Sequence, residues 1–144
     1  MKRTIMGLVT AGLLALGGSV GLAAPATAAT ANCPSGYSCQ WRDASFRTGT
    51  NEAGFFSFFQ CQGAFSLRTY AGVGNGGYSV SSVSNKGRYD PALYYNQAWY
   101  YGYAFTLQIG TGDANLADEG GTVKGYYDNQ LNSGQFGNAP TGCE

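Results

Sequence analysis

The chain has 144 residues, 8 basic and 8 acidic, with 23 glycines, 15% aromatic residues and no histidine. That length holds one domain with a single modest core. A neutral balance with no basic stripe speaks against a nucleic-acid partner. Without histidine there is no Ser-His-Asp or Cys-His catalysis and no H-E-x-x-H zinc site.

In chain order, Lys2 and Arg3 precede an apolar run from Leu8 to Leu22 that closes on Ala26-Thr27-Ala28. A charged start, an apolar middle and small residues before a cut read as a secretory signal peptide over residues 1–28, leaving a domain over residues 29–144. The rival reading is an N-terminal membrane anchor. The small-residue exit favours cleavage, and no later segment is apolar for long enough to span a bilayer. The expected location is extracellular, with no membrane partner after cleavage.

Four cysteines follow: Cys33, Cys39, Cys61 and Cys143. An even count in a small exported chain predicts two disulfides; three pairings satisfy it, and the sequence does not choose. A four-cysteine zinc site is disfavoured by the oxidising compartment and by the absence of C-x-x-C pairs.

Short extended runs alternate with turn clusters. "YSCQW" (37–41), "FFSFFQC" (55–61) and "AFSLRTY" (64–70) read as strands, and "AGVGNGG" as a turn. "YSVSSVS" (78–84) cannot keep Val80 and Val83 in one period-two register, so a bulge or a strand end is expected between them. Pro91 breaks the next stretch. "ALYYNQAWYYGYAFTLQI" is a hairpin-like aromatic stretch. "GTGDANLADEGG" (110–121) is a loop, and "TVKGYYDNQLNSG" closes the unit. The strand spacing predicts an all-β sandwich or barrel.

One phrase occurs twice. Trp41-x4-Phe46 with Gly49 and Tyr94-x4-Trp99 with Gly102 lie at an offset of 53. They resemble the aromatic-x4-aromatic-x-glycine signature of βγ-crystallin motifs, with the glycine one residue late in both. A second βγ-crystallin element, (Asn/Asp)-(Asn/Asp)-x-x-(Ser/Thr)-Ser, resembles "GYSVSS" (77–82) in part and "DNQLNS" (128–133) more fully. The resemblance implies an all-β, βγ-crystallin-like sandwich of two Greek-key motifs. The opening "CPSGYSCQWRDASF", with "SVSSVSNKG" later, is similar to secreted actinobacterial proteins of the peptidase-inhibitor family of the Streptomyces metalloproteinase inhibitor, which has this fold.

That resemblance implies a proteinase inhibitor, a monomer with an extracellular protease as its partner. The family's reactive loop is held by a disulfide in the second half of the domain. No cysteine stands between Cys61 and Cys143, so no reactive bond carries over. Length and composition point instead to the loop from Gly110, with Gly110, Thr111, Gly112, Asp113, Ala114, Asn115 and Leu116 as candidates.

No cofactor is required on this reading. Calcium is the rival, with Asp128, Asn129 and Ser133 as oxygen donors in a βγ-crystallin-type structural module. A small antimicrobial or toxin-like protein is a further alternative. The Tyr94–Tyr103 aromatics suggest core and cross-strand packing first, and stacking on sugars or on a partner second. Asp43 and Glu52 would be the carboxylates of a glycosidase. Exposed turn acids are the plainer reading, and no enzyme is expected.

Overall fold

The computed structural model describes residues 32–47, 54–70, 74–137, 139 and 143. The expected signal peptide over residues 1–28, Gly49 and Glu52 lie outside the described residues. Ten strands follow in order: β1 (Ser38–Trp41), β2 (Phe55–Phe58), β3 (Cys61–Gln62), β4 (Thr69–Tyr70), β5 (Gly74–Asn75), β6 (Ser82–Asn85), β7 (Ala92–Tyr95), β8 (Tyr103–Leu107), β9 (Gly112–Asp113) and β10 (Ser133–Phe136). Among the described residues there is no α-helix. Single 3-10 turns stand at Ala44–Phe46, Phe65–Leu67 and Ala98–Tyr100.

The strands form two four-stranded antiparallel sheets, β2-β1-β6-β9 and β3-β10-β7-β8, beside a small β4-β5 ribbon. Exchanging β1 with β7, β2 with β8, β3 with β9 and β6 with β10 turns one order into the other. Each half of the chain is thus a Greek key that lends its third strand to the other half's sheet. This is the expected all-β, βγ-crystallin-like sandwich of two Greek-key motifs. The lent strands make the two motifs one domain, because neither sheet is complete without the other motif.

Alternation places the core. Phe56 and Phe58 in β2, and Phe105 and Leu107 in β8, point inward and are buried. Phe58, Phe65 and Tyr94 meet in the middle with ring centroids 6.1–6.4 Å apart. A second cluster lies outside the first sheet, where the Cys33–Cys39 bridge, Trp41 and Phe46 pack with Tyr37, Phe55 and Ala114. This cap explains why all four residues of β1 are buried rather than alternate ones.

Two expected strands change, an expected strand end is found, and the open cysteine pairing is fixed. The stretch read as a strand over 64–70 is a 3-10 turn followed by two strand residues, since Phe65 turns inward to the core. The run 55–61 is broken at Phe59 and Gln60, where the chain crosses from one sheet to the other. Val80 and Val83 are both buried because β6 begins only at Ser82, so the expected strand end falls between them. The cysteines pair as Cys33–Cys39 and Cys61–Cys143.

The repeated phrase is in a different register. Trp41 meets Phe46 edge-on, with centroids 5.3 Å apart and planes at 76°. The matching contact is Tyr95 with Tyr100, at 5.7 Å and 73°, not Tyr94 with Trp99. Trp41 pairs with Phe55 across β1–β2 as Tyr95 pairs with Tyr103 across β7–β8. The offset is therefore 54, and Gly102 falls two residues after Tyr100, at the signature's own spacing. Gly102 has φ +64°, and a Cβ there would run into Asn96 Oδ1, so glycine is required twice over. Tyr94 belongs to the opposite face, where its counterpart is Gln40. The two hydrogen-bond each other at 2.8 Å across the pseudo-two-fold axis.

The second signature marks a clamp. Ser82 Oγ donates to the Asp43 carbonyl at 2.8 Å and accepts from the Phe46 amide at 3.1 Å. Ser133 Oγ donates to the Gln97 carbonyl at 2.7 Å and accepts from the Tyr100 amide at 3.1 Å. Each buried hydroxyl folds its hairpin back over its own sheet. The hairpin backbone needs the help: Ser45, Phe46, Trp99 and Tyr100 all have φ between 56° and 65°. Ser133→Ala removes both bonds that hold the hairpin at the half-buried Tyr100 amide and the Gln97 carbonyl, and is expected to lower stability by about 1–2 kcal/mol. A urea titration checks this; a loss within about 0.5 kcal/mol would show that the clamp is idle.

Candidate functional site

The long connection after β9 carries the densest polar network in the second motif. It begins at Asp113, which is 1% exposed. Its Oδ1 accepts from the Asn115 amide at 2.9 Å, and its Oδ2 from the Val123 amide at 2.7 Å. One buried carboxylate thus ties the two ends of the loop together. A Cβ at position 121 would collide with this carboxylate, so Gly121 leaves it room.

Two further side chains shape the interior of the loop. Asn115 Oδ1 accepts from the Ala117 amide at 3.2 Å, and its Nδ2 donates to Asp118 Oδ2 at 2.5 Å. Asp118 Oδ1 accepts from the Gly120 amide at 2.9 Å. Lys124 Nζ donates to the carbonyls of Glu119 and Gly121 at 3.1 and 3.0 Å, and Thr122 Oγ1 to that of Gly112 at 2.8 Å. Local bonds of this Asx type fix turns without help from a sheet. The Leu116 side chain, 1% exposed, anchors the loop in the core.

The candidates Gly110, Thr111, Gly112, Asp113, Ala114, Asn115 and Leu116 are therefore the stem of the loop. Gly110 is in an exposed turn, Gly112 and Asp113 are β9 paired to β6, and Ala114 packs on the cap around Trp41. Asp113 and Leu116 face inward and present no side chain to a partner. The exposed crest lies one step further on, at residues 117–120.

Asp128, Asn129 and Ser133 are not assembled as a calcium site. Ser133 is 0% exposed, with its hydroxyl engaged by the hairpin clamp. Asn129 is exposed, in the left-handed conformation at φ 55°, and donates to Asp128 Oδ2 at 2.8 Å. The corresponding left-handed residue in the first motif is Tyr78, with Gly77 where an acid or amide would stand. Asn132 Oδ1 is buried without a hydrogen-bond partner near Gly77. Among the described residues no three His, Cys, Asp or Glu side chains cluster to hold a metal ion. Calcium asks for six to eight oxygens, and Ser133, with its hydroxyl engaged on both sides, does not supply one.

Asp43 is exposed, and its carbonyl serves the Ser82 clamp. A cleft of about 250 Å³ opens near the junction of the motifs, lined by Phe59, Arg88, Tyr89, Asp90 and Phe136 among others. Among the described residues no helix is long and apolar enough to cross a membrane.

No protein-family model matches the chain, and no curated protein matches it. Among solved structures, one from work on the evolution of the eye lens βγ-crystallin domain fold superposes with a TM-score of 0.53. The identity is 14%, over 72% of this chain and 87% of that chain. The fold is that of a βγ-crystallin domain. A βγ-crystallin from Ciona intestinalis is similar at 16% identity and a TM-score of 0.49, over 70% of this chain and 99% of that chain. The two serine clamps and Gly102 serve the backbone of this chain's own hairpins. At such identities the likeness carries the fold and nothing about a ligand.

Sequence reasoning places the loop but misses its pin. The readable signal is Asp113 itself: a lone acid two residues before an asparagine and beside a short glycine-flanked run suits a buried Asx-type anchor. The serine clamp is visible as the last residue of each second signature, yet residue type alone makes Ser133 look like a metal donor.

Proposed function

We propose that the protein is a secreted proteinase inhibitor that docks a rigid exposed loop into an extracellular protease. The observation that carries this reading is the pinning of the 113–124 loop through buried Asp113, which presents residues 117–120 in one conformation. A loop already ordered in the free state loses little entropy on docking, which is what a tight inhibitor needs. β9 is the edge of its sheet, and its outward carbonyls are already taken, that of Gly112 by Thr122 Oγ1 and that of Ala114 by the Ser45 amide, so a partner meets the loop's crest and not an added strand. The C-P-S-G-Y-S-C opening supports the same reading by its similarity to the inhibitor family. Its two cysteines close the Cys33–Cys39 bridge over the first sheet.

The test is a panel of thermolysin-like and serine proteases against the purified protein. Inhibition of a member of one class is expected at micromolar protein or below. Glu119→Ala, at the exposed crest, should change the inhibition constant with the unfolding midpoint unmoved. Asp113→Ala should raise that constant by at least about tenfold, a 1.4 kcal/mol effect, by freeing the loop ends. No inhibition in either class at micromolar protein would end this reading.

A further inference from the structure

The two Greek keys differ most on the outer faces of their sheets. On the first, Trp41 and Phe46 lie beneath the Cys33–Cys39 bridge, and Trp41 is 0% exposed. On the second, the same positions are Tyr95 and Tyr100, and neighbouring rings stand open: Trp99 is 50% exposed, Tyr101 68% and Tyr103 60%. Charge follows the same division. The first hairpin carries Arg42, Asp43 and Arg47, whereas no charged residue occurs between Asp90 and Asp113.

Of these exposed rings, Trp99 and Tyr103 are held in place. The Trp99 indole lies against Gly63, where a Cβ would come within 2.6 Å of it, and its amide donates to the Gly63 carbonyl at 2.5 Å. Tyr95 sits between Tyr100 and Tyr103, with centroids 5.7 and 6.1 Å away. The phenols are placed as well. Tyr100 donates to the Cys143 carbonyl at 2.9 Å, Tyr103 bonds Thr106 Oγ1 at 2.9 Å, and Tyr95 accepts from Gln135 Nε2 at 3.0 Å. The aromatic row therefore crosses the sheet from the β3 side to the β8 edge with its rings fixed before any ligand arrives.

We infer that this open face of the second Greek key is a binding platform for a neutral polysaccharide, with Trp99, Tyr101 and Tyr103 stacking on its sugar rings. The face of a pyranose presents C–H groups that an aromatic ring attracts, while its rim of hydroxyls suits phenols and amides. Lack of cations disfavours nucleic acid and anionic lipid. Tyrosine and tryptophan also suit the interface of a bilayer, so vesicles are one arm of the test. Preordered rings lose little entropy on binding.

The chain supplies its own reporter. It has two tryptophans, and Trp41 is shielded, so a ligand-induced change in emission reports Trp99. Titration with the hexamers of β-1,4-linked glucose and of β-1,4-linked N-acetylglucosamine should give a saturable change with one of them. Trp99→Ser introduces the residue that the first motif carries at this position, Ser45, also at positive φ. It should remove the signal and retention on the matching insoluble polysaccharide. Tyr101→Ala, at an exposed position, should weaken that retention about tenfold with the unfolding midpoint kept. Glu119→Ala should leave sugar binding unchanged, which separates this face from the crest loop. The inference is overturned if neither hexamer alters the emission at millimolar sugar, or if retention survives both Trp99→Ser and Tyr101→Ala. A response to phosphatidylcholine vesicles alone would overturn it too.

Discussion

Replacing Cys61 and Cys143 together by serine is expected to lower the unfolding free energy by roughly 4 kcal/mol. The bridge joins residues 82 apart in sequence. In the chain-entropy account, a crosslink of that span removes about 4.5 kcal/mol of disorder from the unfolded state, against about 2 kcal/mol for the 6-residue separation of Cys33 and Cys39. A domain of this size holds about 5–15 kcal/mol in total, so the long bridge decides whether it stays folded when warm. Cys61 is in β3, the strand lent by the first motif to the second sheet, so the bridge fastens the end of the chain to the exchanged strand. The short bridge contributes differently, by covering Trp41 and Phe46. Urea titrations of the two double-serine variants separate the cases. A loss from the short bridge equal to or above that from the long one would show that packing under the cap outweighs chain entropy here.

The class of the fold was legible because its causes are local. Aromatic runs, glycine-rich turns and the repeated phrase each speak for short strands folded twice over. What was not legible depended on contacts between segments. Tyr94-Tyr95 and Trp99-Tyr100-Tyr101 are runs of adjacent aromatics, so aromatic-x4-aromatic fits in two registers. Only the edge-on contact of Tyr95 with Tyr100, and the inward turn of Tyr94 to Gln40, choose between them. The disulfide pairing was hidden for the same reason, since it depends on which strand the chain end reaches. Ser133 shows the limit for sites. Its place in a signature is readable, but whether its hydroxyl serves a metal or a backbone turn is decided by the Gln97 carbonyl, 36 residues away. The exposed rings of the second motif were countable in the sequence. Their openness was not, because it depends on contacts between segments: among the described residues, no counterpart of the Cys33–Cys39 cap covers the second sheet.

Alkali is expected to unfold the protein steeply between about pH 10 and 12, with up to roughly 5 kcal/mol of stability lost through two tyrosines. Burial pushes Tyr94 up to about 12, against the opposing effect of its hydrogen bonds to Ser38 and Gln40. Burial likewise pushes Tyr70 up to about 12, with the Ser79 side chain and the charge of Arg42 opposing. Both phenols have an ordinary value near 10 in the unfolded chain. Below pH 10 neither state has released these protons, and the stability is fully present. Above it the unfolded chain loses protons that the native state retains, so stability falls as pH rises toward the folded value. Each group contributes about 2–3 kcal/mol at pH 12, since every tenfold change in an ionisation constant corresponds to about 1.4 kcal/mol. The neutral range should look different: with no histidine, no side chain has an ordinary pKa between pH 5 and 8, and stability should be nearly flat there. Tyrosinate absorbance followed alongside circular dichroism checks both limbs. Two of the eleven tyrosines should fail to ionise until the secondary structure is lost. Tyr94→Phe should halve the alkaline loss, because the remaining steep limb then comes from Tyr70 alone. It should also lower stability at neutral pH, because Gln40 Nε2 and Ser38 Oγ both bond the Tyr94 hydroxyl where the two motifs meet. Full ionisation of every tyrosine in the folded protein at pH 11 would contradict the buried placement of both phenols.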